Sequence, residues 1–151
     1  MQATIIGFPI VPLLSDAPER PCVAGDVVAG FPSPAAQYQE DPLDLNELLV
    51  HRPAATFFLR TVGDSMTGAG IWPGDILVVD RSLTPSENSV VIACLDNEMT
   101  VKFFHREKDG SVWLLPSNPS YPPICCGQER DLQVFGVVTA AIHQFVKRRP
   151  Q

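Results

Sequence analysis

Residues 63–68, with the sequence GDSMTG, hold a serine in a setting that could present a nucleophile. Ser65 lies in a predicted turn between two apolar β-like runs. Its small, flexible neighbours could let backbone N–H groups converge on one point, as an oxyanion hole requires. The usual base for a nucleophilic serine is a histidine held by a carboxylate, but none of the three histidines is in a suggestive setting. The alternative is a serine that only bonds to its own turn.

A lysine could supply the missing base. Lys102 interrupts the otherwise apolar run MTVKFF at residues 99–104. Strand alternation places Thr100, Lys102 and Phe104 on one face. If that face is buried, desolvation lowers the pKa of the lysine, and the neutral amine could deprotonate Ser65 in a Ser–Lys dyad. The alternative is an edge or solvent-face lysine, which is common in sheets.

Thr100 shares the predicted face of Lys102, so its hydroxyl could orient the amine. The alternative is a β-forming residue that only supports its own strand. Asp64 and Asp75 are interpreted as turn residues without a catalytic role.

The elements that must position these residues are predicted to be mainly β. Apolar or β-branched runs predict strands at 56–62, 75–80, 89–95, 99–104, 111–116 and 132–142. The residues around 96–98 indicate a tight hairpin. A short helix is predicted at 44–50, with Asp44 as N-cap and Glu47 placed as in a capping box. This pattern favours a curled antiparallel sheet, or partly open barrel, with a short helix.

Prolines divide the chain into two predicted regions. Seven of them lie within residues 1–42, too many for long helices or central strands. Residues 1–42 are therefore predicted to form an extended N-terminal arm, and residues 43–151 a compact domain. No role is assigned to the first 20 residues.

Composition narrows the function classes. The chain has 151 residues, a net charge of -6 and a pI of about 4.9, which argues against direct binding to a phosphate backbone. The four cysteines have neither a disulfide pattern nor zinc spacing, so reduced thiols and no metal or cofactor are expected. The N-terminus is too short and too interrupted for a membrane span or a secretory signal, which favours a cytoplasmic protein.

Four blocks of the chain resemble the self-cleaving LexA/UmuD-type family of Ser–Lys peptidases in order, spacing and character. They read GDSMTGAGIWPGDILVVDRSL, VIACLDNEMTVKFF, LLPSNPSYPPI and FGVVTAAI. The upstream segment AGFPSPAAQYQEDPLDLNELLVHRPAATFFLR is closer still to the UmuD/MucA branch, the accessory subunits of the SOS mutagenic polymerase. The resemblance covers roughly residues 28–142 and implies the fold of the LexA C-terminal domain.

The resemblance also implies roles for individual residues. Ser65 matches the nucleophile of the family and Lys102 its general base. Ala29 and Gly30 match the scissile bond, where the family has a small residue followed by glycine. Gly30 would let the backbone approach the nucleophile closely, which fits this assignment. The alternative for the segment VVAGFPSP is a proline-rich linker with no special role.

What the resemblance implies about function is a subunit that cuts its own Ala29–Gly30 bond after DNA damage. Such proteins form homodimers, respond to a RecA–single-stranded DNA filament, and join a UmuC-type Y-family DNA polymerase for error-prone translesion synthesis. Residues 1–42 are too short for the helix-turn-helix domain of LexA repressors, so sequence-specific DNA binding is not expected. Two alternatives remain: a catalytically silent interaction subunit, and a Ser–Lys peptidase that acts on other proteins.

Overall fold

The structure, a computed structural model, describes the main chain of residues 2–5 together with residues 43–127 and 131–146. The described residues belong to two compact units. Residues 43–51 belong to one unit, and residues 2–5 with those from 52 onward belong to the other.

The smaller unit contains a short helix, α1 (Leu45–Leu49). Asp44 is its N-cap, as predicted, and the Asp44 carboxylate accepts a hydrogen bond of 2.8 Å from the Asn46 N–H. Such a bond satisfies one of the N–H groups that lack partners in the first turn of a helix.

The larger unit is an antiparallel sheet. Its eight strands lie in the order β1-β2-β3-β8-β4-β5-β6-β7. Their bounds are β1 (Gln2–Ile5), β2 (Thr56–Val62), β3 (Ile76–Asp80), β4 (Val90–Leu95), β5 (Glu98–Arg106), β6 (Val112–Leu115), β7 (Ile124–Cys126) and β8 (Leu132–Ile142). Two short 3-10 helices, Pro53–Ala55 and Thr67–Ala69, flank β2.

The sheet curls without closing into a barrel. Strand β1 pairs with β2 over four residue pairs, whereas a single pair, Gln2 with Thr100, links it to β5. One residue pair does not make a ladder, so the sheet is a curled and partly open one. The mainly β fold class predicted from the sequence is confirmed.

The hairpin between β4 and β5 shows how a local signal fixes the register that places Lys102. Leu95 pairs with Glu98, and the two residues between them, Asp96 and Asn97, have positive φ values of 51° and 67°. Asn and Asp tolerate this left-handed conformation, which a two-residue hairpin turn needs. Lys102 consequently pairs with Val91 of β4.

Two apolar clusters lie on the faces of the sheet, and alternation along the strands divides the residues between them. Strand β4 contributes Ile92 to the first cluster, and Val91 and Ala93 to the second. Strand β5 contributes Val101 to the first and Phe104 to the second. Lys102 therefore lies on the opposite face of β5 from Val101 and on the same face as Phe104, as the alternation in the sequence predicted.

Candidate active site

Ser65 lies in the turn that follows β2. Gly63 opens the turn with a φ of 85°, a left-handed conformation that favours glycine. Ser65 and Met66 are both fully buried, and Met66 belongs to the first apolar cluster. Packing of Met66 into this cluster anchors the turn immediately after the serine.

Residues 117–121, which follow β6, form hydrogen bonds to this turn. They are called the clamp segment here. The Ser117 N–H donates to the Ser65 carbonyl oxygen at 2.8 Å, and the Gly68 N–H donates to the Ser117 carbonyl oxygen at 2.7 Å. The Asn118 amide donates to the Asp64 carbonyl oxygen at 3.0 Å. A Cβ atom at Gly68 would lie 2.3 Å from the Ser117 carbonyl oxygen, so this close approach requires glycine.

Lys102 reaches the same point from β5. Its Nζ atom lies 2.8 Å from the Ser65 Oγ atom, although 37 residues separate the two along the chain. The Lys102 side chain is only 3% exposed. The alternative of a solvent-face or edge lysine is therefore wrong for Lys102.

Two further acceptors surround the amine. Nζ lies 3.1 Å from the Thr100 Oγ1 atom and 3.0 Å from the Val101 carbonyl oxygen. Desolvation by burial lowers the pKa of Lys102 below its ordinary value. A lower pKa increases the share of the neutral amine, which is the form that can accept a proton.

A pocket of about 280 Å³ opens beside the lysine. Most of its lining is apolar, with Glu98 as a carboxylate at its wall. The lining residues are Leu95, Glu98, Met99, Thr100, Lys102, Tyr121, Pro122 and Ile124. Such a pocket suits an apolar stretch of peptide next to the Lys102 amine.

The structure brings together Ser65, Lys102 and Thr100 of the predicted site. Ala29 and Gly30 lie outside the described residues. Asp75 is a turn residue, as interpreted from the sequence: its carboxylate accepts from the Trp72 N–H at 2.8 Å. The sequence analysis did not single out Asn118 or Tyr121, although both lie in the quoted block LLPSNPSYPPI.

Two other features are absent from the described residues, a cluster of metal ligands and a membrane-spanning helix. Within 43–127 and 131–146, no three His, Cys, Asp or Glu side chains group in a way that could hold a metal ion. In the same ranges, no helix has the length and apolar character needed to cross a bilayer. Cys94 and Cys125 are free thiols.

Comparison with known proteins identifies a family for this chain. A model of the Peptidase S24-like family matches residues 21–139. The chain is 50% identical to Protein SamA of Salmonella typhimurium over 116 residues, which cover 77% of this chain and 79% of that protein.

Two further relatives lead to the same branch. The chain is 42% identical to Protein ImpA of Salmonella typhimurium over 149 residues, which cover 95% of this chain and 97% of that protein. It is 43% identical to Protein MucA of Escherichia coli over 118 residues, 77% of this chain and 79% of that protein. The chain therefore belongs to the S24-like peptidase family, and within it to the UmuD/MucA-type SOS mutagenesis proteins.

Proposed function

We propose that the chain is a self-cleaving serine peptidase that cuts its own Ala29–Gly30 bond, with Ser65 as nucleophile and Lys102 as general base. The observation that carries the proposal is the 2.8 Å distance between Lys102 Nζ and Ser65 Oγ, with both side chains buried. Membership of a peptidase family supports it.

The surroundings of the amine favour proton transfer from Ser65. A neutral amine has two N–H donors and one lone pair. The Val101 carbonyl oxygen can only accept, and the Thr100 hydroxyl oxygen can accept as well. With both N–H groups directed at these two oxygens, the lone pair faces Ser65, whose hydroxyl then donates. Thr100 would thus orient the base without taking part in the chemistry.

The reaction proceeds in two stages. The Ser65 oxygen attacks the Ala29 carbonyl carbon as Lys102 takes the hydroxyl proton. The C–N bond to Gly30 breaks, and the new amine leaves with the proton from Lys102. Water, deprotonated by Lys102, then hydrolyses the Ala29 ester and restores Ser65.

The oxyanion of each tetrahedral intermediate would be held by backbone N–H groups around Ser65. The N–H groups of Thr67 and Gly68 already donate to the carbonyl oxygens of Asp64 and Ser117. We therefore expect the N–H groups that hold the oxyanion to lie closer to Ser65 than those of Thr67 and Gly68.

Tethering makes the substrate available at high local concentration. The chain between Ala29 and Leu43, which precedes α1, can span up to roughly 50 Å when extended, so the cleavage segment could dock at its own site or at that of a partner. Val27 and Val28, just before the bond, are apolar residues of the kind that the pocket beside Lys102 suits. The rate would then depend both on how often the segment docks and on how often Lys102 has lost its proton.

We propose the biological setting from the family. The protein would form a homodimer in the cytoplasm, cleave itself when a RecA–single-stranded DNA filament stimulates it, and then serve a UmuC-type Y-family polymerase in translesion synthesis. The net charge of -6 fits an accessory subunit that meets DNA through its partners.

The test is intact mass on purified wild type, Ser65→Ala and Lys102→Ala after incubation near pH 10. We expect a cut between Ala29 and Gly30 in wild type alone. An uncut wild type, with or without the RecA filament, would favour the silent interaction subunit. Efficient cleavage of unrelated peptides by a truncated form would favour a general peptidase.

The rate of self-cleavage is expected to rise from pH 7 toward pH 10. Burial lowers the pKa of Lys102, but the amine is still protonated at lower pH, so the neutral base becomes more abundant as the pH rises. First-order rate constants from a mass-spectrometric time course measure this. A flat profile would contradict lysine as the base.

A further inference from the structure

Tyr121 touches two parts of the site at once. Its hydroxyl donates a hydrogen bond to the Asp64 Oδ1 atom, in the residue before the nucleophile. Its side chain also lines the pocket, together with Thr100 and Lys102. The clamp segment therefore links the wall of the pocket to the turn that carries Ser65.

The clamp segment is itself well ordered by hydrogen bonds. The Asn118 Oδ1 atom accepts from the Ser120 N–H at 3.0 Å, and the Asn118 carbonyl oxygen accepts from the Tyr121 N–H at 3.1 Å. The Asn118 amide donates to the Asp64 carbonyl oxygen. Asp64 is thus held at its main chain by Asn118 and at its side chain by Tyr121.

Both contacts bear on the geometry of the nucleophile. Asp64 is exposed and directly precedes Ser65, so its backbone angles set the direction of the serine side chain. A displacement of the nucleophile by about 1 Å can cost on the order of a hundredfold in rate. Without the Tyr121 bond, the Asp64 side chain would be free to bond to N–H groups of its own turn instead.

We propose that Tyr121 is a positioning residue for Ser65 that acts through the carboxylate of Asp64. The inference rests on the proposed function, because it assigns Tyr121 a role in the reaction of Ser65. The ring of Tyr121 also forms part of the surface that the cleavage segment would contact, so docking and positioning must be separated by experiment.

The hydrogen bond also affects the titration of the phenol. The bond to Asp64 raises the pKa of the Tyr121 hydroxyl above its ordinary value. The phenol therefore remains a donor to higher pH than an ordinary tyrosine would.

The experiment uses the full chain and two readouts. The first is the rate constant of self-cleavage near pH 10. The second is the rate constant of phosphonylation of Ser65 by a small fluorophosphonate, a reagent that reports on the nucleophile without docking of the arm. The variants are Tyr121→Phe, Asp64→Ala, Asp64→Asn and the double variant Tyr121→Phe/Asp64→Ala.

We expect Tyr121→Phe, which keeps the ring and loses the hydroxyl, to lower both rate constants about fivefold. Asp64→Ala is expected to match it, and the double variant to be no slower than Asp64→Ala, since both changes remove one bond. Asp64→Asn keeps an oxygen acceptor and is expected to recover most of the loss. The matched control is Ser111→Ala, which removes a hydroxyl–carboxylate bond to Asp109 in another turn and is expected to leave both rates unchanged.

The outcomes separate the two proposals. Unchanged rates in Tyr121→Phe, or slower self-cleavage with unchanged phosphonylation, would overturn the positioning role, the latter in favour of docking alone. A wild type that is phosphonylated at Ser65 but never cut would overturn self-cleavage and still test Tyr121. A wild type that does neither would overturn both.

Discussion

Lys102 combines burial with three polar contacts, and this combination defines its chemistry. A charged amine loses hydration in the interior, which is the cause of its lowered pKa. Contacts to Ser65, Thr100 and Val101 offset part of that loss. The burial of Lys102 therefore has a consequence for stability as well as for reactivity.

Lys102→Met is expected to raise the melting temperature at pH 7, because an apolar side chain of similar length fills the site without desolvating a charge. The difference in melting temperature between Lys102→Met and wild type should become smaller as the pH rises. The folded-state pKa of Lys102 lies below the unfolded value of about 10.5, so between the two the unfolded chain binds more protons and the wild type gains stability with pH.

Thermal unfolding of both proteins from pH 7 to about 10.5 measures the effect. The matched control is Lys108→Met, which removes the same charge from an exposed turn. A gap between Lys102→Met and wild type that stays constant with pH would argue against a lowered pKa.

Gly68→Ala is expected to separate the nucleophile turn from the clamp segment. The new Cβ atom would meet the Ser117 carbonyl oxygen at 2.3 Å, so the main chain must shift. We expect a loss of about 1–3 kcal/mol in the free energy of unfolding and slower self-cleavage.

Urea unfolding checks the stability and mass spectrometry the cleavage. Gly127→Ala serves as the control, because nothing lies within 4 Å of the Cβ position at Gly127. Equal free energies of unfolding for the two variants would show that the contact between the turn and the clamp segment contributes little to stability.

At the scale of elements, a buried carboxylate joins the end of β8 to the loop after the nucleophile turn. Asp75 is 2% exposed, accepts from the Trp72 N–H at 2.8 Å, and lies 2.5 Å from the His143 Nδ1 atom. Asp75, directly before β3, therefore links the loop at 71–74 to His143, the residue after β8 and 68 positions away along the chain.

Asp75→Ala is expected to lower the free energy of unfolding by about 2–3 kcal/mol, because it leaves the Trp72 N–H without its acceptor. Chemical denaturation measures the difference. Asp109→Ala, which removes an exposed carboxylate that accepts from the Ser111 N–H, is the control and should cost about 1 kcal/mol or less. A similar cost for both would contradict a special role for Asp75.

The strands that the sequence predicted are those with a clear pattern of their own. Predicted strands 56–62 and 132–142 agree with β2 and β8 residue for residue, and the other four differ by at most two residues at an end. Strand β7 has three residues between Pro122–Pro123 and Gly127, too few for alternation to be visible, and it was not predicted. The same holds for β1, which has four.

Contacts between distant residues were harder to predict. Ser65 and Lys102 could be named from their local settings, and the tight turn at 96–97 fixed the face of Lys102. The placement of β8 between β3 and β4 depends on pairings that no local pattern encodes. The bond between Tyr121 and Asp64, 57 residues apart, depends in the same way on the path of the chain after β6.

At the scale of the whole molecule, the net charge argues against direct binding to nucleic acid. The chain is acidic, and its larger described unit is a sheet that carries the candidate site between the β2 turn, β5 and the clamp segment. None of these elements supplies a basic surface of the kind that grips nucleic acid. The division of the chain into an arm at residues 1–42 and a domain at 43–151 remains a prediction. It would place the proposed cleavage site in the arm and the proposed catalytic residues in the domain.

Strand β1 covers one edge of β2, and the proposed cut lies between β1 and the rest of the sheet. After cleavage, its four paired residues would belong to a free peptide whose binding is bimolecular and is weakened by dilution. The Thr61 N–H donates to the Asp75 carbonyl oxygen, so the alternate N–H groups of Arg60 and Val62 face β1. We expect these two amides to exchange with deuterium faster in the cut protein than in uncut Ser65→Ala. Unchanged exchange would mean that the peptide stays bound. If the peptide leaves, the edge of β2 is exposed with unpaired N–H and C=O groups, and an extended segment of another protein could add to it as a new strand.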